Sequence, residues 1–120
     1  LALADPRAES PMESRLRLLL VRAGLPPPVV QHEMVDEYGF VVARFDLAYP
    51  EAMLAIEYDG RGHRRREYSS DDRWRDGTTA DAGWHTMPFG YDDVMVTKPR
   101  TVQLVRNQLT LRAGKRPRSA

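Results

Sequence analysis

The chain has no cysteine. No disulfide framework can therefore staple the fold, and no thiolate set is present for a structural zinc, which fits a cytoplasmic protein. Aromatic residues make up only 8% of the chain, too few for the ring-lined cleft of a carbohydrate-active enzyme, although two carboxylates alone leave a glycosidase formally open. Long apolar runs are missing too: none approaches the roughly 20 residues of a membrane-spanning helix, and the first residues carry no signal-peptide pattern. Charge of one sign is also lacking, since the formal net charge is +1. Lysine is nearly absent as well, and sixteen of the 18 basic residues are arginine, the side chain suited to bidentate phosphate contacts. No internal repeat is visible.

At 120 residues, with 42% hydrophobic and 29% charged content, the chain can bury one modest core. Its unusual feature is acid where a strand wants apolar residues. Arg44-Phe45-Asp46-Leu47, a tight turn at Tyr49-Pro50-Glu51, and Leu54 to Asp59 read as a hairpin. Side chains alternate along a strand, so Glu57 and Asp59 share one face and Ile56 and Tyr58 the other. Asp46, Glu57 and Asp59 then converge, which is costly unless a cation, a proton or an arginine offsets their repulsion. Such hard oxygen ligands suit magnesium or manganese. Each acid also has a plainer role open to it: Asp46 a salt bridge with Arg44, Glu57 a pair with an arginine, Asp59 a cap on the turn at Gly60. Arg64, Arg65 and Arg66 cluster just beyond the acidic strand, and Lys115, Arg116 and Arg118 in the tail, a distribution that favours nucleic acid as partner over a merely solvated face.

Periodicity and punctuation give the elements. Ser10 caps a helix reaching Ala23, with Pro11 in its first turn, Leu16, Leu19 and Leu20 on one face and Gly24 as its stop. Pro26 to Pro28 force an extended connection. A strand near 29–35 is followed by hairpin strands near 40–47 and 53–59. A helix from Ser70 or Asp71 to about Ala82 then leads into a strand from Trp84 to Phe89, parallel to the Glu57 strand, with Pro88 marking an edge or bulge. Trp84 reads as a core anchor before a base-stacking platform. An amphipathic helix over about 100–112 closes the fold.

Taken in order, Ser10-x-x-Glu13, Arg44-x-Asp46-Leu47-x-Tyr49-Pro50, Ile56-Glu57-Tyr58-Asp59-Gly60-x-x-His63, Asp72-Arg73-x-Arg75 and Gly83-Trp84 resemble the PD-(D/E)XK nuclease superfamily. The pattern is similar to its very-short-patch-repair-like branch, in particular a group of unknown function common in actinobacteria. The resemblance runs from about Ser10 to Arg112. It implies a restriction-endonuclease-like αβββαβ core, a mixed four-stranded sheet flanked by helices, here with an extra C-terminal helix. It implies DNA as substrate and Asp46 and Glu57 as ligands to Mg2+ or Mn2+, joined by the Tyr58 backbone carbonyl. It implies His63 as the group that activates water, since Asp59 stands where the superfamily commonly has a lysine, with Glu13 or Asp59 assisting. Glu13 is equally explained as the far end of a capping box. Arg75 becomes a phosphate or carboxylate clamp beside the phosphate-binding Arg64, Arg65 and Arg66. Gly77, Thr79 and Pro88 depart from the pattern, which keeps open a non-catalytic DNA-binding remnant of the fold in a regulator or toxin-antitoxin-like protein. The expected organisation is an N-terminal extension over 1–9, the endonuclease-like domain over 10–113 and a disordered basic tail over 114–120. Starting at Leu1 without an initiator methionine, the chain reads as part of a longer protein with a further N-terminal region.

Overall fold

The structure, a computed structural model, describes residues 9–60 and 70–113. Its elements are α1 (Pro11–Arg22), β1 (Val29–Val35), β2 (Val41–Tyr49), a 3-10 turn (Pro50–Ala52), β3 (Leu54–Tyr58), α2 (Ser70–Asp81), β4 (His85–Phe89), α3 (Tyr91–Met95) and α4 (Lys98–Arg112). The expected order is present, with one addition. The five residues of α3 are too few to display a helical period, and the signal for their N-terminus is Asp93, whose carboxylate accepts the Gly90 N–H at 2.8 Å.

α1 starts where its cap dictates. Ser10 Oγ accepts the Glu13 N–H at 3.2 Å while the Glu13 carboxylate accepts the Ser10 N–H at 3.1 Å, a reciprocal arrangement that satisfies two amides the helix itself leaves without partners. In the tight turn of the hairpin, Met53 takes a left-handed conformation, φ +50°, as the chain enters β3.

The sheet order is β1-β2-β3-β4; the first three strands are antiparallel and β4 runs parallel to β3. Pro88, in register with Glu57, has no N–H to give, and β4 is accordingly an edge strand. Leu16 and Leu20 of α1, Val94 of α3 and Val102 and Val105 of α4 pack with Leu47, Leu54 and Ile56 as the main core. A smaller cluster of Ala43, Phe45, Ala48 and Ala55 is covered by Met34 and Trp84. Trp84 is the anchor its position promised: its ring centroid lies 4.8 Å from that of Phe45 and 5.6 Å from that of His32.

Phe45 and Ala48 differ in strand parity, yet they share that cluster. The pairing of β1 with β2 explains it: the partners step from Val30↔Leu47 to His32↔Phe45, skipping Gln31 and Asp46, and Gln31 is left-handed at φ +53°. A non-glycine residue held there costs on the order of 1–3 kcal/mol. Asp46 is left without a partner in the β1–β2 ladder, and the Phe45 ring lies against that of Trp84.

Candidate active site

Asp46 stands one step beyond the last pair of the β2–β3 ladder, Leu47↔Ile56, so continuing the register sets it opposite Glu57. In place of a main-chain bond, its Oδ2 accepts the Tyr58 N–H at 3.0 Å. The next amide, that of Asp59, donates the other way, to the Phe89 carbonyl at 2.8 Å. A planar trans peptide places the Tyr58 C=O opposite the Asp59 N–H, and no peptide bond among the described residues is cis. The Tyr58 carbonyl is therefore directed away from β4, toward the Asp46 side.

Glu13 comes to the same place from the first turn of α1. Its Oε1 accepts from the Ser10 amide and from Gln31 Nε2 at 3.3 Å, and its carboxyl is hydrogen-bonded to that of Asp46. One side chain thus closes the capping box and reaches Asp46. Burial pushes the Asp46 carboxyl up to about 7; the Tyr58 amide opposes this, while the charges of Glu13 and Glu57 and the hydrogen bond with Glu13 add to it.

Glu57 is held by Arg75, whose Nη2 lies 2.6 Å from Glu57 Oε2 and 3.2 Å from the Arg44 carbonyl. The guanidinium stands 5.6 Å from the centre of the Phe45 ring, a cation–π distance. Both charged side chains are largely covered, 27% and 19% exposed. The clamp from the Asp72-x-x-Arg75 stretch is therefore closed on a carboxylate of the same chain. Arg44, the alternative partner for Asp46, is taken by Glu33 at 2.6 Å. Asp59 lies one residue past β3, where its amide ends the pairing with β4. His63, Arg64, Arg65 and Arg66 lie outside the described residues. Gln31 is the member of the cluster that sequence reasoning missed. Nothing in Val29-Val30-Gln31-His32 marks a left-handed residue, since glycine or asparagine is the usual signal.

Among the described residues no three histidine, cysteine, aspartate or glutamate side chains form a metal cage. The donor set nonetheless fits a hard divalent cation. Magnesium commonly takes one or two carboxylates and completes its shell with water and substrate phosphate, and Asp46, Glu57 and the Tyr58 carbonyl are hard oxygen donors that neighbour one another where the β2–β3 ladder ends. Burial is the main reason the Asp46 carboxyl is raised, with the charges of Glu13 and Glu57 adding to it, and a bound cation would relieve both.

A titration follows. The folded pKa of Asp46 exceeds the unfolded value near 3.9, so its contribution to stability is fully present below that value and is lost as pH rises through about 7. In chelator, thermal unfolding of wild type and Asp46→Asn compared from pH 4 to 8 is expected to show the variant gaining on wild type as pH rises. A difference that stays flat above pH 5 would mean an ordinary carboxylate.

No family model matches the chain. It is similar to two uncharacterized proteins of Mycobacterium tuberculosis, from two strains, each 37% identical over 95 residues that make up 78% of this chain and 35% of the relative. The chain thus spans about a third of the length of the curated relatives it matches. Among solved structures it is similar to the catalytic domain of the homing endonuclease I-Bth0305I, with a TM-score of 0.55 and 18% identity over 87% of this chain and 98% of that domain. The chain has the fold of an endonuclease catalytic domain. In this endonuclease-like fold the mixed sheet carries Asp46 of β2 in register with Glu57 near the end of β3, and α1 brings Glu13 to Asp46. No helix among the described residues is long and apolar enough to cross a membrane.

Proposed function

We propose that this chain is a metal-dependent endonuclease-like domain that hydrolyses DNA phosphodiester bonds, of the very-short-patch-repair-like kind. The observation that carries the reading is the half-buried Asp46 carboxyl, which feels the charges of both Glu13 and Glu57 and is pushed up to about 7 on an endonuclease-type sheet. Asp46, Glu57 and the Tyr58 carbonyl would hold Mg2+ or Mn2+, which when bound supplies Lewis-acid stabilisation of charge on the scissile phosphate. The chain's own residues do the rest. Arg75 holds Glu57 by an ion pair, and Glu13 lies against the Asp46 carboxyl and steadies it. His63 takes the proton of the attacking water, since a neutral imidazole accepts a proton near neutral pH. Arg64, Arg65 and Arg66 grip flanking phosphates.

A second reading, a DNA-binding module that kept the scaffold without the chemistry, is favoured by one observation: Asp59 occupies the position where the resembling superfamily carries its cationic lysine. Incubation with plasmid and single-stranded DNA in magnesium, manganese or chelator separates the two. The nuclease is expected to cut with metal and stop with chelator, and His63→Ala to slow cutting by roughly a hundredfold at neutral pH. Binding without cutting under every metal condition establishes the module.

A further inference from the structure

α1 also forms one wall of a groove that Glu13 does not line. One turn along, on the helix's outer side, the groove, of about 550 Å³, opens between α1 and the junction of α3 with α4. Arg15, Arg22 and Lys98 line it, all three exposed, over a floor that includes Leu18, Leu19 and Met95, and no acidic side chain among the described residues lines it. None of the three cations is ion-paired among the described residues; Arg15 reaches only the Met95 sulfur, at 4.0 Å. Lys98 is the first residue of α4, whose N-terminus has no side-chain cap, so its amides add positive partial charge to the groove.

The two walls of the groove both start from elements that reach the candidate site. The groove's near end begins at Ser14 and Arg15, next to Glu13, and at α3, whose N-cap Gly90 lies against the Asp59 carbonyl. Arg15 and Arg22 are seven residues apart, two turns on one face, which is about 10 Å along the helix. That equals the axial rise of about three nucleotides of one duplex strand, at 3.4 Å each. Three exposed cations, with no acidic side chain lining the groove among the described residues, match the regularly spaced charge of a nucleic-acid backbone.

We propose that this groove carries the sugar-phosphate backbone of the DNA flanking the cleaved bond, with Arg15, Arg22 and Lys98 as its phosphate-binding cations. The proposal rests on the nuclease reading for its substrate, and its test does not depend on cleavage. Binding of a fluorescent DNA duplex is measured in chelator across a salt series, for wild type and for Arg15→Gln/Arg22→Gln/Lys98→Gln. The triple variant is expected to bind roughly tenfold or more weakly, with the slope of log affinity against log salt smaller by about 0.9 for each phosphate no longer neutralised. The far-ultraviolet spectrum and melting temperature stay those of wild type. Polyglutamate is run as a second probe. An unchanged DNA slope overturns the groove even if wild type cuts DNA, as does loss of polyglutamate binding with DNA binding intact. If wild type cuts nothing in any metal but the triple variant still loses DNA affinity, the groove stands and the nuclease reading falls. If wild type does not bind DNA at low salt, both fall.

Discussion

Asp46→Asn is expected to reduce magnesium-dependent plasmid cleavage by roughly a thousandfold or more, equivalent to about 4 kcal/mol of transition-state stabilisation. Asparagine has nearly the shape of aspartate and keeps an oxygen for the Tyr58 amide, which the carboxyl accepts at 3.0 Å. What it removes is the charge that would bind the cation. DNA binding should be retained or tightened, because a negative charge facing phosphate has gone. Single-turnover cleavage and duplex binding, measured on the same preparations, separate the two effects. Equal residual cleavage in wild type, Asp46→Asn and His63→Ala would identify the activity as a contaminant and leave the non-catalytic module as the better account.

Arg75→Met should act on both stability and chemistry. The guanidinium holds Glu57 Oε2 at 2.6 Å and the Arg44 carbonyl at 3.2 Å, so its loss leaves a largely covered carboxylate without its ion-pair partner. Because both side chains keep some access to water, the cost falls below that of a fully buried pair, at about 1–2 kcal/mol by urea unfolding. Cleavage should fall by roughly a hundredfold, since Glu57 is no longer held in position. Arg75→Lys restores the charge without the planar fork and should recover most of the stability but little of the rate. If methionine and lysine variants cut as fast as wild type, Arg75 only covers the Phe45 ring.

The features legible in the sequence are those with local causes. Ser10 and Glu13 announce the start of α1 three residues apart, and alternation with acids in apolar strands singles out Asp46 and Glu57. Pro88 marks an edge because a missing N–H is visible in the letter itself. Arg75 is legible as a charged residue in a suggestive stretch, whereas its partner is set by where α2 crosses β2 and β3, which no short window contains. Gln31 is illegible for a different reason. Its left-handed backbone is imposed by the pairing of β1 with β2, against local preference. α3 is a single short turn whose cap, Asp93, lies inside it.

The Tyr58 amide gives this cluster its own spectroscopic witness. It donates to a carboxyl where a regular ladder would have it donate to main chain, so its proton chemical shift and solvent-exchange rate register the charge state of Asp46 directly. Titrating acid or a divalent ion into isotope-labelled protein should move this resonance well before the signals of the core strands respond. One peak in a correlation spectrum would then follow the site without substrate or turnover.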